Sequence, residues 1–374
     1  MKKELARLIH LLASGEPVSG RVIGEEIGVS RTSVSNWVSQ LADYGITVNS
    51  QAGVGYCLPR PLGLLQPDVV QRRVGQTMHR VFQLEILESV DSTNIRALEA
   101  LQAYLGGRAT ADLVHEATVS KFAVAVAEYQ TSGRGRRGRS WVSPFAANIN
   151  LSLAVRVNQA LGSLSGLSLA IGMAIVQVLR RYGFSEVGLK WPNDVLLHGR
   201  KLAGILVDAQ GEMEGPVDLS IGVGLNVMMQ SSDVDGLISQ PWASLEQAAS
   251  AKAITVPDRS LLVADLIAEI VRTSELFASH GFGYFQPEWS LFDAFHGEIL
   301  ELTSQLEPDS GQSMGGNRLP LAVGQNAGVD EQGRLLLRKG ENTDPIAFAG
   351  GEVSLRKHSV LQKVSGHSAS QGGS

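Results

Sequence analysis

Four arginines and three glycines fill the seven residues from Gly133 to Arg139, and Trp141 closes the run (G-R-G-R-R-G-R-S-W). Guanidinium groups seek anions, and glycines let backbone N–H groups approach one closely. The run therefore predicts an anion-gripping loop, and three chemistries fit it. Gly133, Gly135 and Gly138 have the G-x-G-x-x-G spacing of a dinucleotide loop. Such a loop must open a helix and be followed about 20 residues on by an acidic residue. Here Pro144 and a strand-like segment follow, and no Asp or Glu occurs between Tyr129 and Gln159, which argues against a Rossmann role. A solvated basic loop or nonspecific nucleic-acid patch is the second reading. The third is a phosphate and carboxylate clamp that orders around a nucleotide, with Trp141 as an apolar cover.

Four further clusters bear on the choice. KWPND (Lys190–Asp194) joins a cation, a Pro-fixed turn, an amide and a carboxylate. RKLAGILVD (Arg200–Asp208) sets Lys201 at the mouth of a buried strand. IGVGLNV (Ile221–Val227) alternates glycines ahead of Asn226, and glycine inside a strand marks a close approach. DSTN (Asp91–Asn94) is a polar cluster just before a helix. Each has a plain structural alternative: a helix cap for DSTN, a turn for KWPND, tight strand packing for IGVGLNV. Their joint occurrence in this order favours the clamp. No Ser-His-Asp or Cys-His arrangement is evident, and the eight histidines show no ligand spacing.

These residues need a scaffold, and 374 residues suffice for two or three domains. The formal net charge of −5 makes any polyanion binding local. A single cysteine, Cys57, excludes an internal disulfide framework and a multi-cysteine metal site, and fits a reducing compartment. Glu4, Arg7 and His10 interrupt the apolar N-terminal stripe, so it does not read as a signal peptide. No uninterrupted apolar stretch reaches the roughly 18–20 residues of a membrane span. A cytoplasmic protein with no membrane partner is expected.

Residues 1–58 read as a helical unit in which Val22–Ile27, a Gly28-Val29 turn and a helix capped by Ser30 form a helix-turn-helix. Thr47–Leu58 alternates around Gly53 and Gly55 like a β-hairpin wing. Strands are expected at Phe122–Ala127, Ile149–Val157, Ile205–Asp208 and Leu219–Val227, with an apolar helix at Leu167–Arg181. Short strands at Glu298–Leu302, Pro320–Val323, Arg334–Arg338 and Ile346–Phe348 suggest a small β-barrel. The expected division is 1–62, a DNA-binding domain; 63–79, a linker; 80–295, a mixed α/β catalytic domain; 296–360, a terminal barrel; and 361–374, a disordered tail.

The set DSTN, EYQ-x-x-GRGRRGR-x-W, KWPND, RKLAGIL and IGxGxN resembles the biotin protein ligase family. It is most similar to the bifunctional biotin operon repressor/biotin–[acetyl-CoA-carboxylase] ligase form, with which the SR-x-x-V-x-x-W helix and GGEVSLR (Gly350–Arg356) also agree. The resemblance covers essentially the whole chain. It implies an α+β multidomain fold: a winged helix-turn-helix, a class II synthetase-like central domain and an SH3-like β-barrel. It implies that biotin and ATP, with Mg²⁺, form biotinoyl-5′-AMP, which a lysine of biotin carboxyl carrier protein then attacks. Arg136, Lys201 and Lys190 are implied as catalytic. Ser92, Thr93, Asn94, Gln130, Arg134, Gly135, Arg136 and Lys201 are implied to bind biotin. Arg134, Arg136, Trp141, Asn193, Asn226 and Trp242 are implied for ATP and the adenylate, Asn226 by bonding adenine and Trp242 by packing on it. Asp194 is the best Mg²⁺ candidate. Ser30, Arg31, Thr32, Ser33, Ser35 and Asn36 are implied to meet operator DNA, in a homodimer formed when biotinoyl-AMP is bound.

Three features depart from the pattern. The segment between DSTN and EYQ is long, with an insertion around 106–120, and the loop 304–317 enlarges the terminal barrel. Residues 1–58 carry five basic and five acidic side chains, a formal sum of zero, where phosphate contacts usually supply much of the affinity. Two alternatives to a ligase that also represses therefore stay open: a ligase with a vestigial DNA-binding domain, and a ligand-sensing transcription factor without catalysis. The second predicts loss of the cations, yet Arg136, Lys190 and Lys201 are present.

Overall fold

Leu5, Leu8, Ile9 and Leu12 recur at helical spacing, and all four are buried on one stripe of α1 (Lys3–Leu12). Ser19 caps α2 (Gly20–Ile27) by accepting from the Val22 N–H, and Gly28 ends it at φ 84°, a left-handed conformation that glycine adopts freely. Ser30 then caps α3 (Arg31–Gln40). At Gly24 a Cβ would press on the Val29 carbonyl, so the tight turn between the two helices requires glycine there. Antiparallel β1 (Asn49–Gln51) and β2 (Gly55–Cys57) form the wing. The core of this unit also takes in Phe145 and Ala146, with Tyr129 packed against it, all from far along the chain.

The structure, a computed structural model, describes residues 1–107, 119–211, 214–304, 320–340, 343–350 and 353–358. The insertion expected around 106–120, the 304–317 loop and the 361–374 tail fall largely or wholly outside the described residues. The chain divides into two compact units, Met1–Ala294 and Phe295–Ser374.

The stretch 63–79, expected to be a linker, holds a helix, α4 (Pro67–Val74), with Pro67 in its first turn and Val70 and Val74 buried. Any linker in this stretch is therefore confined to the residues before Pro67. Those residues are themselves fastened: Arg60 bonds the Met228 carbonyl (3.1 Å) and Asp233 (2.6 Å). After β3 (Val81–Leu87) and α5 (Thr93–Gly106) come β4 (Phe122–Ala127) and β5 (Asn148–Val157). Next are α6 (Leu167–Arg181), β6 (Val187–Lys190), β7 (Asp194–Leu197), β8 (Arg200–Gly211) and β9 (Val217–Asn226). Two further α-helices, α7 (Leu245–Lys252) and α8 (Arg259–His280), follow in this unit.

The seven strands form one mixed sheet in the order β3-β4-β5-β9-β8-β7-β6, antiparallel except for β3 with β4. Its two faces differ in side-chain size because strand residues alternate. One face carries Ala123, Ala125 and Ala154 against α5. The other carries large branched residues such as Leu151, Leu153, Ile205 and Val223, all buried. On that side, Leu189 and Ile205 approach Gly172 of α6, and α6 packs on α8. Leu161–Arg181 has the length and apolarity of a membrane span. Eleven of the fifteen residues of α6 are nevertheless buried within the protein, as expected of a core helix.

The second unit is an antiparallel sheet of β10 (Ile299–Ser304), β11 (Ala322–Val329), β12 (Leu335–Arg338), β13 (Ile346–Phe348) and β14 (Val353–Lys357), in the order β13-β12-β11-β10-β14. The small β-barrel expected from the sequence is not seen closed among the described residues: β13 and β14 stand at the two edges of the sheet and are not paired.

Candidate active site

A half-open cleft of about 480 Å³ lies on the small-residue face of the sheet. Its floor follows from strand register. Gly224 of β9 faces Gly204 of β8, and Gly222 faces Leu206. A Cβ at Gly222 would collide with the Asn94 amide, and one at Gly224 with the Trp141 indole. The alternating glycines of IGVGLNV are therefore what let a polar cap and an aromatic ring lie directly on the backbone.

Ser92, Thr93 and Asn94, at the start of α5, line the cleft and are all buried. Ser92 occupies the N-cap position but makes no side-chain cap bond, so capping does not explain its hydroxyl. Gln130 accepts from the Thr93 N–H (2.9 Å) and donates to Asn150 (3.3 Å).

The arginine run folds back on itself. Arg134 and Ser140 form a β-bridge, the Gly135 N–H donates to the Arg139 carbonyl (2.7 Å), and the Trp141 N–H donates to that of Gly133 (2.9 Å). Arg137 and Gly138 sit at the tip with φ of 62° and 71°, as the central residues of a type I′ turn do. Arg134, Gly135, Arg136 and Trp141 face the cleft. Arg136 Nη1 donates to Asn193 Oδ1 (3.1 Å). Burial, and then the neighbouring Arg137, hold the Arg136 guanidinium below its usual pKa range, while Asp194 acts the other way. The Trp141 Nε1–H is buried and finds no hydrogen-bond partner among the described residues.

KWPND is the turn between β6 and β7, with a cis Trp191-Pro192 bond. It delivers Asn193 to the cleft and pins it there, since the Asn193 amide donates to the Ile205 carbonyl (2.8 Å). Lys201 reaches the cleft from β8, its Nζ 2.8 Å from Asp194 Oδ1 and 5.8 Å from the centre of the Trp141 ring. Two cations, Arg136 and Lys201, and the Asn193 amide thus gather at one end, with Asp194 backing Lys201 from outside the lining, and hydroxyl and amide groups lie at the other. A ligand with a polar head and an anionic end fits that polarity.

Lys190, Asp194, Asn226 and Trp242 do not line this cleft. For Asn226 the difference has a clear cause. It is buried, donates to the Ala243 carbonyl (3.0 Å) and accepts from the Asn148 amide (3.3 Å), so its side chain is committed within the protein. Trp242 stands beside Lys201, whose backbone N–H and carbonyl bond Pro241 and Ala243. Among the described residues no three His, Cys, Asp or Glu side chains gather as a metal cage. Ser30, which caps α3, and Arg31, Thr32, Ser35 and Asn36 within it are exposed. Ser33 is half-buried and its hydroxyl is shared with Ser30 (2.9 Å), so those two serve the cap.

The sequence profile of the Biotin/lipoate A/B protein ligase family matches residues 107–226, and an HTH domain profile matches 4–57. The Bifunctional ligase/repressor BirA of Salmonella typhimurium is 36% identical over 349 residues, spanning 93% of this chain and 96% of that protein. Its Escherichia coli counterpart is 35% identical over 350 residues, 94% and 96% of the two chains. This chain belongs to the bifunctional biotin ligase/repressor family. The fold agrees: the biotin protein ligase from Aquifex aeolicus, solved in complex with biotin and ATP, superposes with a TM-score of 0.53 at 23% identity, over 74% of this chain and 100% of that one.

Seen as a member of that family, the chain holds three features in or beside its cleft to which the sequence reading assigned no role. Ser152 and Asp208 sit under DSTN, and a buried pair, Glu128–Arg259 (2.7 Å), lies beside Gln130. Ser152 and Asp208 fall at alternate positions of strands already legible as strands, so the inward period was their available signal. Arg259 carried none, because it opens a helix that the sequence reading did not single out.

Proposed function

We infer that the chain is an ATP-dependent biotin protein ligase. It activates biotin to biotinoyl-5′-AMP and transfers it to a lysine of biotin carboxyl carrier protein. Its winged helix-turn-helix makes it a biotin-responsive repressor of biotin synthesis genes as well. The observation that carries this is the convergence of Ser92–Asn94, Gln130, Arg134–Arg136, Trp141 and Lys201 on one cleft, in a chain whose relatives match it almost end to end.

The chemistry suits that set. A biotin carboxylate oxygen attacks the α-phosphorus of ATP and pyrophosphate leaves. The carrier ε-amine then attacks the acyl carbon, AMP leaves, and the amine loses a proton. The first step brings two anions together, so cations must offset their repulsion. Lys201 holds the carboxylate, and Arg134 and Arg136 hold the phosphate, their N–H groups aimed where charge develops. Ser92, Thr93, Asn94, Gln130 and Gly135 hold the ureido head of biotin. Trp141 excludes water from the adenylate. Asn193 positions Arg136, and Asn226 holds the 241–243 segment so that Trp242 covers adenine. Lys190 supports the KWPND turn from its first position.

Mg²⁺ belongs to the same reading. It takes hard oxygen donors, often one or two carboxylates with the substrate's phosphates, and Asp194 supplies one such carboxylate. When bound it would neutralise phosphate charge. We extend the reading to the division 1–62, 63–79, 80–295, 296–360 and 361–374, to an SH3-like barrel built from the terminal strands, to a homodimer formed with biotinoyl-AMP bound, and to the cytoplasm. Arg31, Thr32, Ser35 and Asn36 lie on the exposed face of α3, suited to a major groove.

Incubation with ATP, apo-carrier and radiolabelled biotin or lipoate tests the enzyme. Biotin transfer is expected, and label transfer from lipoate alone would overturn the reading. A gel shift on the DNA upstream of the biotin synthesis genes tests repression: a biotin-dependent shift is expected, and its absence would leave a ligase only.

A further inference from the structure

Beneath the cleft a chain of polar groups links Thr93, Ser152, Asn94 and Asp208. The Ser152 and Thr93 hydroxyls are 2.7 Å apart, Ser152 Oγ donates to Asn94 Oδ1 (2.5 Å), and Asn94 Nδ2 donates to Asp208 Oδ2 (3.2 Å). Ser152 is fully buried, and Thr93 and Asn94 are nearly so. In the sheet Ser152 faces Gly222, and the missing Cβ at Gly222 is what admits the Asn94 amide between them.

Proton counting makes this chain directional. A carboxylate only accepts, so it draws the NH₂ end of Asn94 and turns the Asn94 oxygen toward Ser152. That oxygen also only accepts, so it takes the single Ser152 proton. The 2.7 Å contact between the two hydroxyls then needs the Thr93 proton. Gln130 Oε1, 3.2 Å from Thr93 Oγ1, is served instead by the Thr93 backbone N–H (2.9 Å). Thr93 Oγ1 is left with lone pairs directed away from Ser152, on a residue that lines the cleft.

We propose that Asp208 and Ser152 are positioning residues that polarise Thr93 as a hydrogen-bond acceptor for a ureido N–H of biotin. The proposal rests on the ligase reading of the cleft. It explains why a carboxylate sits under a pocket whose ligand is itself an anion: Asp208 acts on the neutral head group through Asn94 and Ser152, rather than on the ligand. A ligand without an N–H at this point gains nothing from the arrangement, so the chain also favours a cyclic urea over a purely apolar head.

Steady-state pyrophosphate release by the full-length protein, with apo-carrier in excess to discharge the adenylate at each turnover, tests this, with KM for biotin, KM for ATP and kcat measured separately. Ser152→Ala and the near-isosteric Ser152→Cys are each expected to raise KM for biotin about tenfold, the worth of a hydrogen bond of about 1.4 kcal/mol, with KM for ATP and kcat within twofold of wild type. Asp208→Asn, which frees the Asn94 amide to turn over, shifts KM for biotin in the same direction. Because the residues act in series, Ser152→Cys combined with Asp208→Asn is no worse than the poorer single variant. An unchanged KM for biotin, equal rises for biotin and ATP, or multiplying effects in the double variant would each overturn the proposal. Absence of biotin-dependent pyrophosphate release by the wild-type protein would instead overturn the ligase reading itself.

Discussion

Arg259→Ala should cost far more stability than its position at the first turn of a helix suggests. The guanidinium donates to Glu128 Oε2 (2.7 Å), the Gly63 carbonyl (2.8 Å) and the Asn148 carbonyl (2.5 Å), and both members of the ion pair are at least 95% buried at the side chain. Removing it strands the Glu128 carboxylate, whose other oxygen accepts from the Leu65 N–H (2.5 Å), and leaves two carbonyls short of a donor. Breaking one side of a buried pair costs about 3–5 kcal/mol, mostly because the remaining charge is uncompensated. For a unit of this size that corresponds to a fall in melting temperature of roughly 10 °C. Urea denaturation supplies the free energy and thermal melting the temperature. Removing both charges with Arg259→Met and Glu128→Leu should recover about half the loss, since the carbonyls still lack donors. The same bonds fasten residues 63–65 to the catalytic sheet, so Arg259→Ala should also speed proteolytic cleavage between Pro59 and Gln66. A cost below about 1 kcal/mol with no change in cleavage would refute the reasoning, because it would mean that the pair is solvated.

Three further outcomes follow from the cleft. Arg136→Gly should leave adenylate synthesis largely intact but release biotinoyl-AMP, seen as labelled adenylate separating from the protein on a desalting column; wild-type retention would contradict the part given to Arg136 in holding the phosphate. Lys201→Ala removes the cation 2.8 Å from Asp194 and should slow adenylate formation by about 10²-fold or more in single-turnover assays, whereas an unchanged rate would argue against its placement. Gly224→Ala places a methyl group within the Trp141 ring, so the indole must move; altered tryptophan fluorescence and a weaker KM for ATP are expected, and an unchanged emission spectrum would mean the ring does not rest there.

Much of this was legible before the structure. Phe122–Ala127 and Leu167–Arg181 fall where the apolar pattern placed them, because one strand is buried on both faces and the helix is apolar nearly all round. The strands β6 and β7, which flank the KWPND turn and share only its end residues Lys190 and Asp194, were missed because four residues each are too short to show a period. The cleft residues from DSTN, the arginine run and Lys201 came together as expected. Asn226 did not, since nothing in IGVGLN tells a ligand-facing amide from one that bonds Ala243.

The sequence alone determined which chemistry is available: cations spaced for anions, glycines where a backbone must be bare, and hydroxyl and amide groups ahead of a helix. Those are properties of residue type and local spacing, and they survive without coordinates. Only the tertiary structure decided which groups meet. Ser152 beneath Thr93, Asp208 behind Asn94 and Arg259 across from Glu128 are separated by 59, 114 and 131 residues. Strand register and helix packing bring them within hydrogen-bonding distance, and no local pattern in the chain records that.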